Sequence, residues 1–64
     1  MGKLSELEYD ELLEMERSNS RVEQYFDNGL WKGSIAKHFY TSAEIQWDDG
    51  TISVVDLDRL EVAG

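Results

Sequence analysis

Three turn signals divide the second two-thirds of the chain into short runs. R-V-E-Q-Y-F leads into D-N-G, L-W-K-G-S-I-A-K-H-F into Y-T-S, A-E-I-Q-W into D-D-G-T, and I-S-V-V follows. Asp, Asn and Gly at such points supply the backbone conformations of tight hairpins, and the runs between them lean toward period two. Closely spaced antiparallel strands are the fold this permits. In the second run Gly33 interrupts the pattern, as a bulge or bend does. After the fourth run, Asp56 is placed to cap a single helical turn through Leu60, with Glu61 and Val62 as a last short strand. Four or five strands of this length suggest a small, strongly bent barrel, in which closure hides the edges that a flat sheet exposes.

Residues 1–20 follow a different rule. L-S-E-L-E-Y-D-E-L-L-E-M-E-R consists of strong helix formers without Gly or Pro. Ser5 and Glu8 have capping-box spacing, with Leu4 and Tyr9 placed for a hydrophobic staple. Early acids and Arg17 near the end suit the helix dipole. Leu4, Leu7, Leu12, Leu13 and Met15 give a broad, ragged apolar stripe. A short helix of this kind is marginal alone, so it must dock on the strands, on a second copy or on a partner. The expected organisation is one folded unit, an acidic helix and linker over 1–20 and a β-barrel over 21–64.

Sixty-four residues with no cysteine bound the chemistry. The core lies near the lower size limit for independent folding, and neither disulfides nor thiolate metal sites can support it. Chains this short gain stability from partners, so a homodimer is one open arrangement. No run approaches the ~18 apolar residues of a membrane span, and the acidic N-terminus lacks the apolar centre of a signal peptide. Gly2 does not make a myristoylation site, because position 6 is Glu6. An intracellular protein without cofactor is the expectation.

Net charge is −8. Residues 1–20 hold two basic and six acidic residues, and residues 21–64 hold four and eight, so each part carries −4. Neither has the basic surplus that neutralises phosphates, which disfavours nucleic acid and favours basic partners. Catalysis is not expected. His38 has no nucleophile or oxyanion donors assembled around it and reads as a strand surface residue, and Asp56, Asp58 and Glu61 lack calcium-loop spacing.

V-E-Q-Y-F-D-N-G-L-W-K-G-S-I, then A-E-I-Q-W-D-D-G-T, then V-D-L-D-R-L resembles a Tudor-like domain of the SH3-like barrel class over roughly residues 21–61. The resemblance implies an aromatic cage for methylated lysine or arginine, in which ring faces replace the water lost by a weakly hydrated cation. Carried over by position, the first-strand ring is Tyr25 or Phe26, with the phenol of Tyr25 the better surface candidate. The second-strand ring is Trp31, and the ring before the acidic turn is Trp47. The next position, where the family often has Tyr or Phe, is Asp49. No clear counterpart exists for the family's last-strand Asn, Ser53 being the nearest polar residue.

The residues themselves leave each role open. Trp31 fits ligand contact or core equally, and Trp47, in phase with Ile45, fits core or barrel mouth. Asp48 and Asp49 suit a solvated turn or a cation-attracting rim. The expected function is a non-enzymatic module that binds a basic or methylated peptide or protein through Tyr25, Trp31, Trp47 and Asp49. The alternative is an acidic regulatory or nucleic-acid-mimicking protein, phage or mobile-element encoded, that docks on a basic partner or self-associates through its helix.

Overall fold

The computed structural model describes residues 2–63, and they form one antiparallel sheet with a helix against it. The strands are β1 (Arg21–Phe26), β2 (Gly29–His38), β3 (Ser42–Trp47), β4 (Ile52–Asp56) and β5 (Glu61–Val62), in spatial order β4-β3-β2-β1-β5. The β1–β2 and β3–β4 turns lie where Asp, Asn and Gly cluster, the β2–β3 turn lies at Phe39–Thr41, and the tail supplies the expected helical turn as a 3-10 turn at Leu57–Arg59. Asp56 precedes that turn but makes no side-chain cap bond. The hydrogen-bonded sheet is open, with β4 and β5 as its two edges.

The register explains the core. Ile35 pairs with Ile45 across β2 and β3, Val22 pairs with Gly33 across β1 and β2, and Ala43 pairs with Val55 across β3 and β4. Paired residues share a face, so period two puts Val22, Ile35, Ala43, Ile45 and Trp47 on one inner face. All five are buried, together with Leu4, Leu12, Leu57 and Leu60 from outside the sheet. Full burial of each aliphatic side chain contributes about 1.5–3 kcal/mol, a large share for a chain of this size.

Gly33 has a different role from the bulge expected of it. The register shift in β2 lies between Ile35 and Lys37, whereas Gly33 pairs regularly with Trp47. A Cβ on Gly33 would stand 2.6 Å from Gln46 O and 2.9 Å from Ile45 Cγ2. Close approach of β3 is what requires glycine here.

The helix begins later than Ser5 and Glu8 suggest. Ser5 lies within a 3-10 turn at Leu4–Glu6, and α1 runs Tyr9–Ser18 with Glu8 at its N-cap. Glu11 reaches back to accept the Glu8 N–H at 3.1 Å, so the capping box is shifted by three residues. A tertiary contact decides this. Leu4 is fully buried, its N–H donates to Leu60 O at 3.0 Å, and the Lys3 backbone forms an antiparallel β-bridge with Glu61. A helix starting at Ser5 would have to give up that seat.

At its other end α1 stops at Asn19 in the left-handed conformation, φ 50°. The Asn19 amide donates to Ile35 O at 3.1 Å and ties the helix end to β2. The helix therefore docks on its own sheet, burying Leu12.

Candidate functional site

Parity along the strands assembles an aromatic cluster at the end of the sheet where the β1–β2 and β3–β4 turns meet. Gln24 pairs with Trp31, Phe26 with Gly29, and Gly33 with Trp47. Phe26, Trp31 and Trp47 consequently point to the inner face, beyond the aliphatic core. Their ring centroids lie 5.3 Å apart for Phe26–Trp31, 5.9 Å for Trp31–Trp47 and 6.4 Å for Phe26–Trp47, with the two tryptophans almost perpendicular at 88°. These are the tilted and edge-to-face separations of rings in direct contact. Trp47 is 5% exposed and anchors the cluster, whereas Trp31 at 37% and Phe26 at 43% present surface to solvent.

Of the expected site residues, Trp31, Trp47 and Asp49 come together around one recess of about 400 Å³, shared with Leu30, Lys32 and Asp48. Tyr25 does not join them. It pairs with Leu30 on the outer face and is 63% exposed, facing a different groove with Asp27 and Arg59. The third ring is Phe26. A two-residue loop, Asp27–Asn28, sets Phe26 opposite Gly29 and so fixes which of the two neighbouring aromatics turns inward. The signal lay in the sequence: Phe26 is in phase with the buried Val22.

The acidic turn is built by its own hydrogen bonds. Trp47 N–H donates to Thr51 O at 2.8 Å and Gly50 N–H to Trp47 O at 2.9 Å, with Gly50 at φ 94°, a conformation that favours glycine. Asp49 Oδ1 accepts the Thr51 hydroxyl at 2.7 Å and the Thr51 N–H at 3.0 Å. These two donors hold the Asp49 carboxyl below the ordinary carboxylate range, the hydroxyl contributing most. Asp49 is thus a fixed, ionised group at the recess. Asp48 is engaged elsewhere: Arg21 donates to it through Nη1 at 2.8 Å and Nη2 at 2.6 Å. That side-chain bonding lowers the Asp48 pKa and raises that of Arg21.

Arg21 and, more weakly, Lys32 offset the charge of Asp48. Attraction for a cation at this recess must come from the ring faces, from the unshared Asp49 and from the overall charge of −8. The other acids reach it only through that overall field. Asp10, Glu11 and Glu14 are exposed along α1, which packs on β2. His38, expected at the strand surface, is instead taken up beneath that helix by Glu16, with only 8% of its side chain exposed. Among the described residues no three His, Cys, Asp or Glu side chains converge to hold a metal ion, and no helix is long and apolar enough to cross a membrane.

No family model, curated protein or solved structure matches the chain. Its function has to be argued from its own residues.

Proposed function

We propose that this chain is a non-enzymatic interaction module of the Tudor-like, SH3-like barrel class. Its ligand is a basic side chain, lysine or arginine with or without methyl groups, on a peptide or protein. One observation carries the reading: Trp31 is a partly exposed ring braced by Trp47 and Phe26, beside an ionised Asp49. A weakly hydrated cation gains from a ring face what it loses in water, and the nearby carboxylate adds direction. The ring set is Trp31, Trp47 and Phe26, with Phe26 replacing the expected Tyr25. In the barrel reading the strand order and the 3-10 turn before β5 belong together, since that turn lets the chain return to pair with β1.

The rings pack against one another, so the ligand rests on the outer face of Trp31 rather than inside a preformed cage. Titration of a methylated-lysine peptide into wild-type protein and Trp31→Ala tests this. Loss of one cation–π wall weakens binding by about 0.5–2 kcal/mol, a severalfold fall, while the far-ultraviolet spectrum stays unchanged. Equal affinity for both proteins would sink the proposal. The competing reading, docking of a basic protein on the acids of α1, predicts the reverse. Charge reversal at Asp10 and Glu14 would then abolish binding and Trp31→Ala would not.

A further inference from the structure

The two edges of the sheet are treated differently. Beside β5 the chain lays down its own N-terminal residues: Val62 N–H donates to Gly2 O at 3.1 Å, and the Lys3 backbone forms a β-bridge with Glu61. β4 receives no such cover among the described residues. Its sequence, I-S-V-V-D, also lacks the lysine, proline or bulge that commonly guards an edge.

Which β4 groups are free follows from the ladder. Trp47 N–H donates to Thr51 O, and Leu57 N–H donates to Thr41 O. Pairs in an antiparallel ladder alternate between hydrogen-bonded and non-bonded. With Ile45 opposite Ser53 and Ala43 opposite Val55, Ser53 and Val55 bond to β3. The N–H and C=O of Ile52 and Val54 and the N–H of Asp56 therefore point away from the sheet, the Asp56 C=O being taken up by the 3-10 turn that follows.

They point into a groove. A cavity of about 570 Å³ is lined by Ser53, Val54, Val55 and Asp56 along β4 and by Gln24 and Phe26 of β1, with Trp31 and Trp47 at its back and Thr51 and Arg59 completing the wall. Four consecutive residues of a strand cannot all contribute one face, so the groove runs along the backbone edge of β4. Ser53, on the inner side of the strand, is exposed because nothing covers it there. Across the groove stands Gln24, only 8% exposed, whose Oε1 has no hydrogen-bond partner. A buried amide oxygen without a partner is costly, and rotation of the Gln24 side chain toward a ligand donor in the groove would relieve it.

We propose that this groove receives an extended, basic segment of a partner protein as an additional strand on β4. The segment bonds through its main chain to Ile52, Val54 and Asp56, and one of its side-chain N–H groups is accepted by Gln24. Strand addition to an exposed edge is a general mode of peptide recognition, in which main-chain bonds supply affinity and side-chain pockets supply selectivity. Asp56 and Arg59 offset each other in the groove, so the overall charge of −8 favours a basic occupant and opposes a second copy of this chain. The inference extends the aromatic-site reading, since Trp31 and Trp47 back both recesses, but it rests on the β4 edge and Gln24.

The test is amide hydrogen exchange and affinity measurement with a short, end-blocked peptide of alternating arginine and valine. A second version is N-methylated at alternate residues so that it cannot donate main-chain bonds. On binding the first, the amides of Ile52, Val54 and Asp56 gain protection, while those of Ser53 and Val55, already bonded, change little. Removing two or three main-chain bonds by N-methylation lowers affinity by roughly tenfold or more. Gln24→Leu leaves the unfolding midpoint unchanged or raised, yet weakens the peptide severalfold.

Failure of the aromatic-site reading leaves a distinct pattern, with Trp31→Ala harmless and β4 protection intact. Three results overturn the strand proposal: no binding of the peptide, binding without β4 protection, or β4 protection in the free protein that grows with its concentration. The last would make a second copy the occupant.

Discussion

Glu16 Oε1 accepts both the main-chain N–H and the ring Nδ1 of His38, each at 2.8 Å. A carboxylate only accepts, so both nitrogens donate, and the pair pins the last turn of α1 to the end of β2. Tyr9 packs on the same imidazole, with centroids 5.3 Å apart.

That relationship predicts an acid sensitivity. The Glu16 pKa is lowered from its ordinary 4.5, chiefly by the His38 N–H and next by the His38 ring. A depressed carboxylate stabilises the fold above its unfolded pKa, and that contribution is lost as pH falls through the folded value. Wild-type stability should therefore decline below about pH 4.5 more steeply than that of Glu16→Gln, and the two curves should converge in strong acid. Urea unfolding across pH 2–6 compares them directly, with Asp48 and Asp49 contributing equally to both proteins.

Gly33 supplies a second prediction. The ideal Cβ of Gly33→Ala collides with the backbone of Gln46 and lies 3.0 Å from Trp47 Cα, so β3 must move away from β2. Overpacking of this kind costs about 1–3 kcal/mol. Chemical denaturation should show that loss, and the tryptophan emission should shift because Trp47 is the residue displaced.

Much of this fold could be read from the sequence, and the misses have physical causes. The turns at Asp27–Asn28 and at Asp48–Gly50, and the helical turn before Glu61, are local events encoded by local residues. Trp47 pointing inward follows from its phase with Ile45. The helix starts at Tyr9 and not at Ser5 because Leu4 is held by Leu60, 56 positions away, which outweighs a local cap at Ser5. His38 looked superficial because its partner Glu16 lies 22 residues back on another element. The hydroxyl of Tyr25 points to the surface role, yet the hairpin register, not polarity, decides which ring turns inward. The open edge of β4 was invisible because strand order emerges only when β5 pairs with β1.

Leu4 gives a third prediction. It is fully buried among the core side chains although it stands outside both the sheet and α1. Leu4→Ala should cost about 2–5 kcal/mol, the range for aliphatic truncation in a packed core. In a small domain with only a few kcal/mol to lose, a substantial unfolded population should appear at 37 °C. Ser5→Ala, one residue on and exposed, should leave the unfolding midpoint unchanged, because Ser5 does not cap α1.

The last prediction separates the two tryptophans, whose roles the cluster makes unequal. Trp47 is 5% exposed and is touched by both other rings, so it is part of the core as well as the back wall of the site. Trp31 is 37% exposed and keeps a free face. In Trp31→Phe the remaining fluorophore should emit toward the blue and resist acrylamide, whereas in Trp47→Phe it should emit toward the red and be quenched readily. Trp47→Ala should lose about 3–5 kcal/mol of stability, while Trp31→Ala should lose markedly less. Adding a methylated-lysine peptide should then protect the fluorophore of Trp47→Phe from acrylamide and leave that of Trp31→Phe unaffected, since only Trp31 offers a ring face to the ligand. Protection of neither would place the ligand away from this cluster.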